Sequence, residues 1–150
     1  MNRTEKEQIV FGNILLLSNK LQILGDNILP ELTLKQWFLL IVMSKLENKS
    51  PSVNDIAEIM GSTRQNIKKI LLPLESKGFV EISKSEKDSR ALSIALTKKA
   101  YHYFNDMEQL AEINTNKLFR AISDNELDTF HKVLEELFFS VEHFRDGEEM

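Results

Sequence analysis

The stretch IAEIMGSTRQNIKKILLPLESKGFVEISKSEKDSR, residues 56–90, decides the fold. Gly61 follows a short apolar segment and can take the left-handed conformation that ends a helix and turns the chain. Thr63 can then cap a second helix, because a hydroxyl at that position accepts from an otherwise unpaired backbone N–H. Apolar residues recur in this helix at helical spacing: Ile67, Ile70, Leu71 and Leu74. A helix, a turn with glycine and a second helix predict a helix-turn-helix unit.

Two short apolar segments follow this unit. Residues 79–82 and 91–96 have the residue types of β-strands, and the polar, mostly charged stretch 83–90 joins them. We therefore expect a β-hairpin with a protruding charged tip, which is a wing beside the helix-turn-helix.

Three helices are predicted upstream of the turn. Apolar spacing indicates an amphipathic helix over 5–29, which Pro30 ends. Residues 33–36 have the form of a capping box, so a second helix should run from there to about Leu46. A short third helix is expected over 52–59, where a serine cap and a carboxylate in the first turn begin it.

Two helices are predicted downstream of the wing. The first runs from Thr97 to about Arg120 with a loose apolar stripe of Tyr101, Phe104, Met107 or Gln109, Leu110 and Ile113. A capping box at 123–126 opens the second, and the acidic end at 146–150 is expected to fray. The predicted class is thus mainly α with a small β-hairpin wing. A winged helix-turn-helix lobe, 33–100, is flanked by helices in 1–32 and 101–150, all within one domain.

The two flanking segments suit a dimer interface, because long amphipathic helices outside a small core need a partner to cover them. We expect the last helix to pack with the first helix of a second copy. The residues expected in that homodimer interface are Ile14, Leu17, Leu21, Leu127, Phe130, Leu134, Phe138 and Val141.

Charge is unevenly distributed along the 150 residues, whose net charge is -4. Residues 33–100 carry twelve Lys or Arg against seven acids, whereas 101–150 carry four against twelve. An anionic partner would therefore dock on the middle of the chain. The chain has no cysteine, which excludes disulfides and thiolate metal sites. Its start lacks a signal-peptide pattern and no apolar run could span a bilayer, so we expect a cytoplasmic protein without membrane contact.

The helix after Gly61 has the polar inventory of a DNA major-groove reader. Amide and guanidinium groups pair with base edges, whereas lysines mostly hold phosphates. The candidate DNA-binding residues of this helix are Thr63, Arg64, Gln65, Asn66, Lys68 and Lys69. A basic amphipathic helix alone is more simply interpreted as a solvated surface. The order of the elements, with a turn before it and a charged hairpin after it, favours the reader.

The wing supplies three further candidates for DNA contact, Lys84, Lys87 and Arg90. A narrow minor groove attracts arginine in particular. Asp88 precedes Arg90 by two positions, so its carboxylate can hold the guanidinium in a fixed pose. Ordinary surface ion pairs at a hairpin tip explain the same residues equally well.

A small-molecule site is a weaker prediction. Trp37 offers a flat wall for an effector cleft, with Tyr101 and His102 beside it, although a tryptophan at such a position is more often core. The three histidines lack the spacing of a metal site, so we expect no bound metal. The sequence has no phosphate-binding loop and no nucleophile motif, so we expect neither a cofactor nor enzymatic activity. A winged-helix module that binds an acidic partner protein remains the alternative to a DNA-binding regulator.

Four stretches together resemble the MarR family of bacterial winged helix-turn-helix regulators. They match, in order, the family's opening of the second helix, its segment before the turn, its entry to the wing and its Asp-x-Arg with a closing Leu-Thr. The stretches are LTLKQW at 32–37, IAEIMG at 56–61, LESKGFV at 74–80, and DSR at 88–90 with LT at 96–97.

The resemblance implies a homodimer that binds double-stranded DNA at pseudo-palindromic operators, usually as a repressor. It also implies release from DNA by a small, commonly aromatic or anionic ligand. The sequence departs from the family where Ile82 and Ser89 replace frequent arginines and Ala100 replaces a usual glycine. Pro73 lies late in the helix after the turn, where it removes a hydrogen bond and predicts a bend.

Overall fold

The computed structural model describes residues 1–144 and consists of six helices and one hairpin within that range. Every predicted element is present, with bounds within two residues of those expected, and the predicted fold class is confirmed. The acidic end at 146–150, expected to fray, lies outside the described residues. The elements are α1 (Arg3–Ile28), α2 (Leu34–Lys45), α3 (Val53–Ile59), α4 (Arg64–Ser76), β1 (Val80–Lys84), β2 (Leu92–Leu96), α5 (Lys98–Phe119) and α6 (Asp124–Glu142).

Reciprocal caps begin most of the helices. At α2 the Thr33 hydroxyl accepts from the Gln36 N–H at 3.2 Å, and the Gln36 side chain accepts from the Thr33 N–H at 3.0 Å. Such a box pairs backbone donors that the first helical turn leaves free. The predicted box at Ser123 and the serine cap of α3 are present in the same form. A further box at the start of α1, between Asn2 and Glu5, was not predicted.

The lobe formed by α2, α3, α4 and the hairpin contains most of the buried apolar side chains. In the antiparallel hairpin Val80 pairs with Leu96 and Ile82 with Ile94. The Ile94 N–H also donates to the Pro51 carbonyl at 3.0 Å, so the segment before α3 extends the sheet. Ten side chains of α2, α3, α4 and the hairpin with its entry are at most 2% exposed: Leu39, Leu40, Met43, Ile56, Ile67, Leu71, Leu74, Phe79, Val80 and Ile94.

The junction between α1 and α2 is tightly packed. A Cβ placed on Gly25 would lie 2.7 Å from Cδ1 of Leu34, closer than side chains approach one another. The Asp26 carboxylate accepts from the Leu34 N–H at 2.7 Å and so helps to cap α2. Glu31, between the helices, has a φ of 63°, a left-handed conformation that costs a non-glycine residue free energy.

The apolar stripe predicted for α5 is wrong at its start, because Tyr101 is exposed and Ala100 and Tyr103 are the buried residues. The first turn of α5 packs against the lobe through Ala100 and Tyr103, which are three residues apart. The buried face of this turn is therefore shifted by one residue from the predicted face, which contains Tyr101 and Phe104. At Pro73, α4 continues to Ser76, so the proline does not end the helix.

The residues group into two compact units. The first comprises Met1–Phe104 and contains the lobe and α1, while the second begins at Asn105 and contains α6. Neither α1 nor α6 buries a residue, although both are rich in large apolar side chains. We refer to α1 and α6 as the arm helices.

Candidate nucleic-acid interface

The turn between α3 and α4 directs the start of α4 outward. Gly61 has a φ of 58°, as expected for a glycine that ends a helix, and the Ser62 N–H donates to the Ala57 carbonyl at 2.9 Å. The Thr63 hydroxyl then accepts from the Asn66 N–H at 3.2 Å and caps α4. The chain therefore re-enters a helix immediately after the turn, with its first residues at the surface.

The two faces of α4 differ in chemistry and in exposure. Ile67, Leu71 and Leu74 are buried and attach the helix to the lobe. The opposite face carries amides, a guanidinium and two ammonium groups, which are the donors that base edges and phosphates accept. All six candidate residues of this helix are exposed: Thr63, Arg64, Gln65, Asn66, Lys68 and Lys69.

The wing holds its candidate cations at and beyond the end of β1. Lys84 is the last residue of β1, and Lys87 and Arg90 lie in the loop, all three exposed. The Ser85 N–H donates to the Ala91 carbonyl at 2.9 Å, and the Ala91 N–H to the Asp88 carbonyl at 3.0 Å. These bonds give the loop a defined shape, so its cations have defined positions relative to the strands.

The expected ion pair between Asp88 and Arg90 is not formed. The Asp88 carboxylate instead accepts from the backbone N–H of Arg90 at 2.9 Å, a local turn in which aspartate bonds the backbone two residues on. Since this turn already engages the carboxylate, it shapes the loop and leaves the guanidinium without that partner.

The cations of α4 and the wing are available to an external anion. Within residues 1–144, no ion pair or side-chain hydrogen bond involves the charged groups of Arg64, Lys68, Lys69, Lys84, Lys87 or Arg90. Lys99, by contrast, lies 3.2 Å from a Glu31 carboxylate oxygen. A phosphate backbone approaching α4 would thus meet cations that need not first break an internal pair.

The three residues proposed to line an effector cleft differ in exposure. Trp37 is half-buried on α2, while Tyr101 and His102 are exposed on α5. Tyr101 makes an edge-to-face contact with Phe104 at 5.9 Å between ring centroids. Among the aromatic pairs of residues 1–144, none connects Trp37 to Tyr101, so an effector site at these residues stays a prediction.

Tyr103 is a structural residue that the sequence pattern did not single out. Its hydroxyl donates to the Pro30 carbonyl at 2.5 Å, and its ring meets Phe79 edge to face at 5.3 Å. Burial, with a smaller contribution from the negative charge of Glu31, raises the pKa of Tyr103 to about 12. Only its spacing of three from Ala100, on a helix face that packs inward, could have indicated this role.

The residues predicted to form a dimer interface are exposed or half-buried in the single chain. On α1, Ile14 and Leu17 are exposed and Leu21 is half-buried. On α6, Leu134 is half-buried and the others are exposed: Leu127, Phe130, Phe138 and Val141. Large apolar side chains in such numbers at a surface mark an interaction site.

In the part of the chain that the structure describes, no group of three or more His, Asp or Glu side chains is arranged to hold a metal ion. None of the helices in residues 1–144 is long and apolar enough to cross a membrane.

Known proteins share this fold. Over 109 aligned residues the chain is 27% identical to the transcriptional repressor MprA of Escherichia coli K12, which accounts for 72% of this chain and 62% of the repressor. The chain therefore matches about three-fifths of the length of that relative. A MarR/EmrR family transcriptional regulator of Acinetobacter sp. ADP1 has a TM-score of 0.79 at 21% identity, over 91% of this chain and 97% of that one.

A second solved structure, MepR of S. aureus in complex with DNA, has a TM-score of 0.76 at 19% identity, covering 85% of this chain and 94% of that chain. MprA is named a repressor and the Acinetobacter protein a transcriptional regulator, in agreement with the expectation that the chain is not an enzyme. Residues 32–92 match the model of the MarR family, and they include the turn, α4 and most of the wing. The chain is thus similar to the MarR family over residues 32–92, and it shares its fold with the Acinetobacter regulator over most of its length.

Proposed function

We propose that this protein is a sequence-specific DNA-binding transcription regulator that acts as a homodimeric repressor. The observation that carries the proposal is the outward face of α4, where a capped helix exposes Arg64, Gln65 and Asn66 while its other face is anchored in the core. MprA, a relative over most of this chain, is named a transcriptional repressor. MepR, which has the same fold, was solved bound to DNA.

The candidate residues have different tasks in this proposal. Arg64, Gln65 and Asn66 read base edges in the major groove, because bidentate side chains distinguish base pairs there. Lys68 and Lys69 hold phosphates and so position the helix. In the wing, Lys84, Lys87 and Arg90 bind the backbone or an adjacent minor groove.

The dimer makes the operator a pseudo-palindrome. Two copies related by a two-fold axis present two α4 helices to half-sites about one DNA turn, ~34 Å, apart. The exposed apolar faces of the arm helices support this assembly, since a second copy would cover them. The whole chain then functions as one MarR-like unit.

The regulator is proposed to respond to a small aromatic or anionic effector at Trp37, Tyr101 and His102. Trp37 is the chain's only tryptophan, so its fluorescence reports on that site alone. Titration with aromatic carboxylates should change the emission and weaken operator binding together. Ligands that leave both unaltered would contradict effector control through these residues.

Operator selectivity tests the DNA-binding proposal. The protein is first used to capture fragments of its own genome, and the retained sequence serves as the operator in fluorescence anisotropy against a scrambled duplex. Arg64→Ala or Asn66→Ala should reduce the discrimination between the two duplexes by roughly 1–3 kcal/mol, because a base contact is lost.

Lys84→Ala and Lys87→Ala are the matched controls. Each removes one cation from the wing, so each should weaken binding to both duplexes alike and lower the salt dependence. A wild type that binds every duplex equally would refute the proposal. Binding to an acidic protein with no preference among DNA sequences would favour an interaction module instead.

A further inference from the structure

Three charged residues from three separate parts of the chain lie close together at the C-terminal end of α4. Glu31 lies between α1 and α2, Lys77 caps the C-terminal end of α4, and Lys99 lies in the first turn of α5. The Lys77 ammonium donates to the Glu31 carbonyl, and the Lys99 ammonium lies 3.2 Å from the Glu31 carboxylate. We call Glu31, Lys77 and Lys99 the junction clasp.

Lys99 uses its ammonium group for three partners at once. Besides the Glu31 carboxylate, it donates to the Lys77 carbonyl at 2.8 Å and lies 4.4 Å from the centroid of the buried Phe79 ring. A carboxylate, a carbonyl and an aromatic face together orient the group much more narrowly than a single surface ion pair does.

The loop that carries Glu31 is itself held in place. The Pro30 carbonyl accepts from the Leu32 N–H at 2.7 Å and from the Tyr103 hydroxyl at 2.5 Å. The Asp26 carboxylate, one turn earlier, accepts from the N–H of Leu34. The clasp therefore connects the end of α4 to a loop with a defined backbone, because several independent bonds fix that loop.

The clasp lies on α4 at the end opposite to the DNA-reading residues. The Lys77 N–H donates to the Pro73 carbonyl at 3.0 Å, so a displacement of Lys77 moves the last turn of the helix with it. The Glu31 and Lys99 side chains are about half exposed, at 55% and 48%, and such a pair contributes little to the free energy of unfolding.

We propose that the junction clasp positions the recognition helix α4 relative to the end of α1 and the start of α5, and thereby sets the half-site spacing that the protein selects. Glu31, Lys77 and Lys99 are positioning residues, since none of them needs to touch DNA. The inference rests on the proposed function, because spacing has meaning only for a dimer that reads two half-sites.

The test uses the operator recovered from the genome and duplexes with one or two base pairs inserted at its centre. Each insertion moves the half-sites apart by about 3.4 Å and rotates them by roughly 35°. The wild type should prefer the recovered spacing. Lys99→Met should reduce that preference by roughly 3- to 10-fold, with a smaller effect on binding to a duplex that has one half-site.

Lys98→Met is the matched control, because it removes the same charge from the neighbouring exposed residue of α5. Lys98→Met should keep the wild-type preference for spacing. Lys99→Arg, which keeps the charge, should retain more of that preference than Lys99→Met does. If Lys99→Met does not fold, Glu31→Gln replaces it, since that change removes the charge and keeps the size of the side chain. Glu31→Gln should also reduce the preference for spacing.

The possible results separate the two proposals. A wild type without selectivity for any sequence refutes the proposed function, and the clasp inference with it. A selective wild type whose spacing preference survives in folded Lys99→Met or Glu31→Gln overturns the clasp inference alone. So does a selective wild type that binds all spacings equally.

Discussion

Helices α4 and α6 both carry an apolar stripe, but the two stripes differ in how far the chain itself buries them. In α4, three of the four stripe residues, Ile67, Leu71 and Leu74, are buried against the lobe, and the fourth, Ile70, is half-buried. No residue of α6 is buried, and Phe138 remains 67% exposed. The same periodic pattern therefore identifies an apolar face without saying whether the chain itself covers that face.

Because of this difference, we expect the two stripes to stabilise different species. Burial of the α4 stripe contributes to folding of the single chain, because the lobe supplies the surface that covers it. The α6 stripe is left largely exposed by the described residues, so most of its contribution depends on a covering surface such as the second copy proposed above. Substitutions in the two helices should consequently differ in whether their effects depend on protein concentration.

The largest effect is expected from Phe138→Ser in α6. Burial of a phenylalanine contributes roughly 1.5–3 kcal/mol, and a two-fold dimer contains the residue twice, so the dimer Kd should rise at least ~100-fold. Sedimentation equilibrium measures that change. Asp128→Ser on the same helix is the control, and an equal Kd for both variants would show that this face of α6 lies outside the dimer interface.

The second effect is expected from Leu71→Ala in α4. The side chain is 1% exposed, and its truncation leaves a cavity that should lower the free energy of unfolding by roughly 2–5 kcal/mol. Urea unfolding followed by circular dichroism provides the measurement. The loss of unfolding free energy should be the same at low and high protein concentration. A loss that depends on concentration would show that the α4 stripe, like the α6 stripe, needs a second copy for its contribution.

A smaller effect is expected from the buried Tyr103, whose hydroxyl donates to the Pro30 carbonyl. Its pKa is raised from 10.0 to about 12 in the folded protein, so unfolding releases a proton over this range and stability falls as pH rises through it. The loss should reach up to roughly 2 kcal/mol. Tyr103→Phe should flatten this alkaline decline in urea unfolding, whereas Tyr101→Phe, on an exposed side chain, should follow the wild type.

Local features of the fold were predictable from sequence because they depend on neighbours along the chain. The boxes at Thr33 and Ser123 involve residues three apart, and Gly61 marks the turn by its own conformational freedom. The outward face of α4 was likewise predictable, since burial of Ile67 and Leu71 leaves only one orientation for the residues between them.

Contacts between distant residues were not predictable in this way. Tyr103 bonds to a carbonyl 73 positions earlier, and Lys77 to one 46 positions earlier. No periodic pattern encodes such partners, because they depend on how packed elements meet. The Asp88 contact was predicted wrongly for a related reason, since a backbone N–H and a guanidinium of the same residue compete for one carboxylate.

If a second copy covers the exposed arm helices, as proposed above, the amount of the two-chain assembly depends on how much of the chain is synthesised. When most chains are single, the amount of a two-chain assembly rises with the square of the amount synthesised. A twofold change in expression would then change the assembled form nearly fourfold, and assembly would also protect each chain from unfolding by mass action.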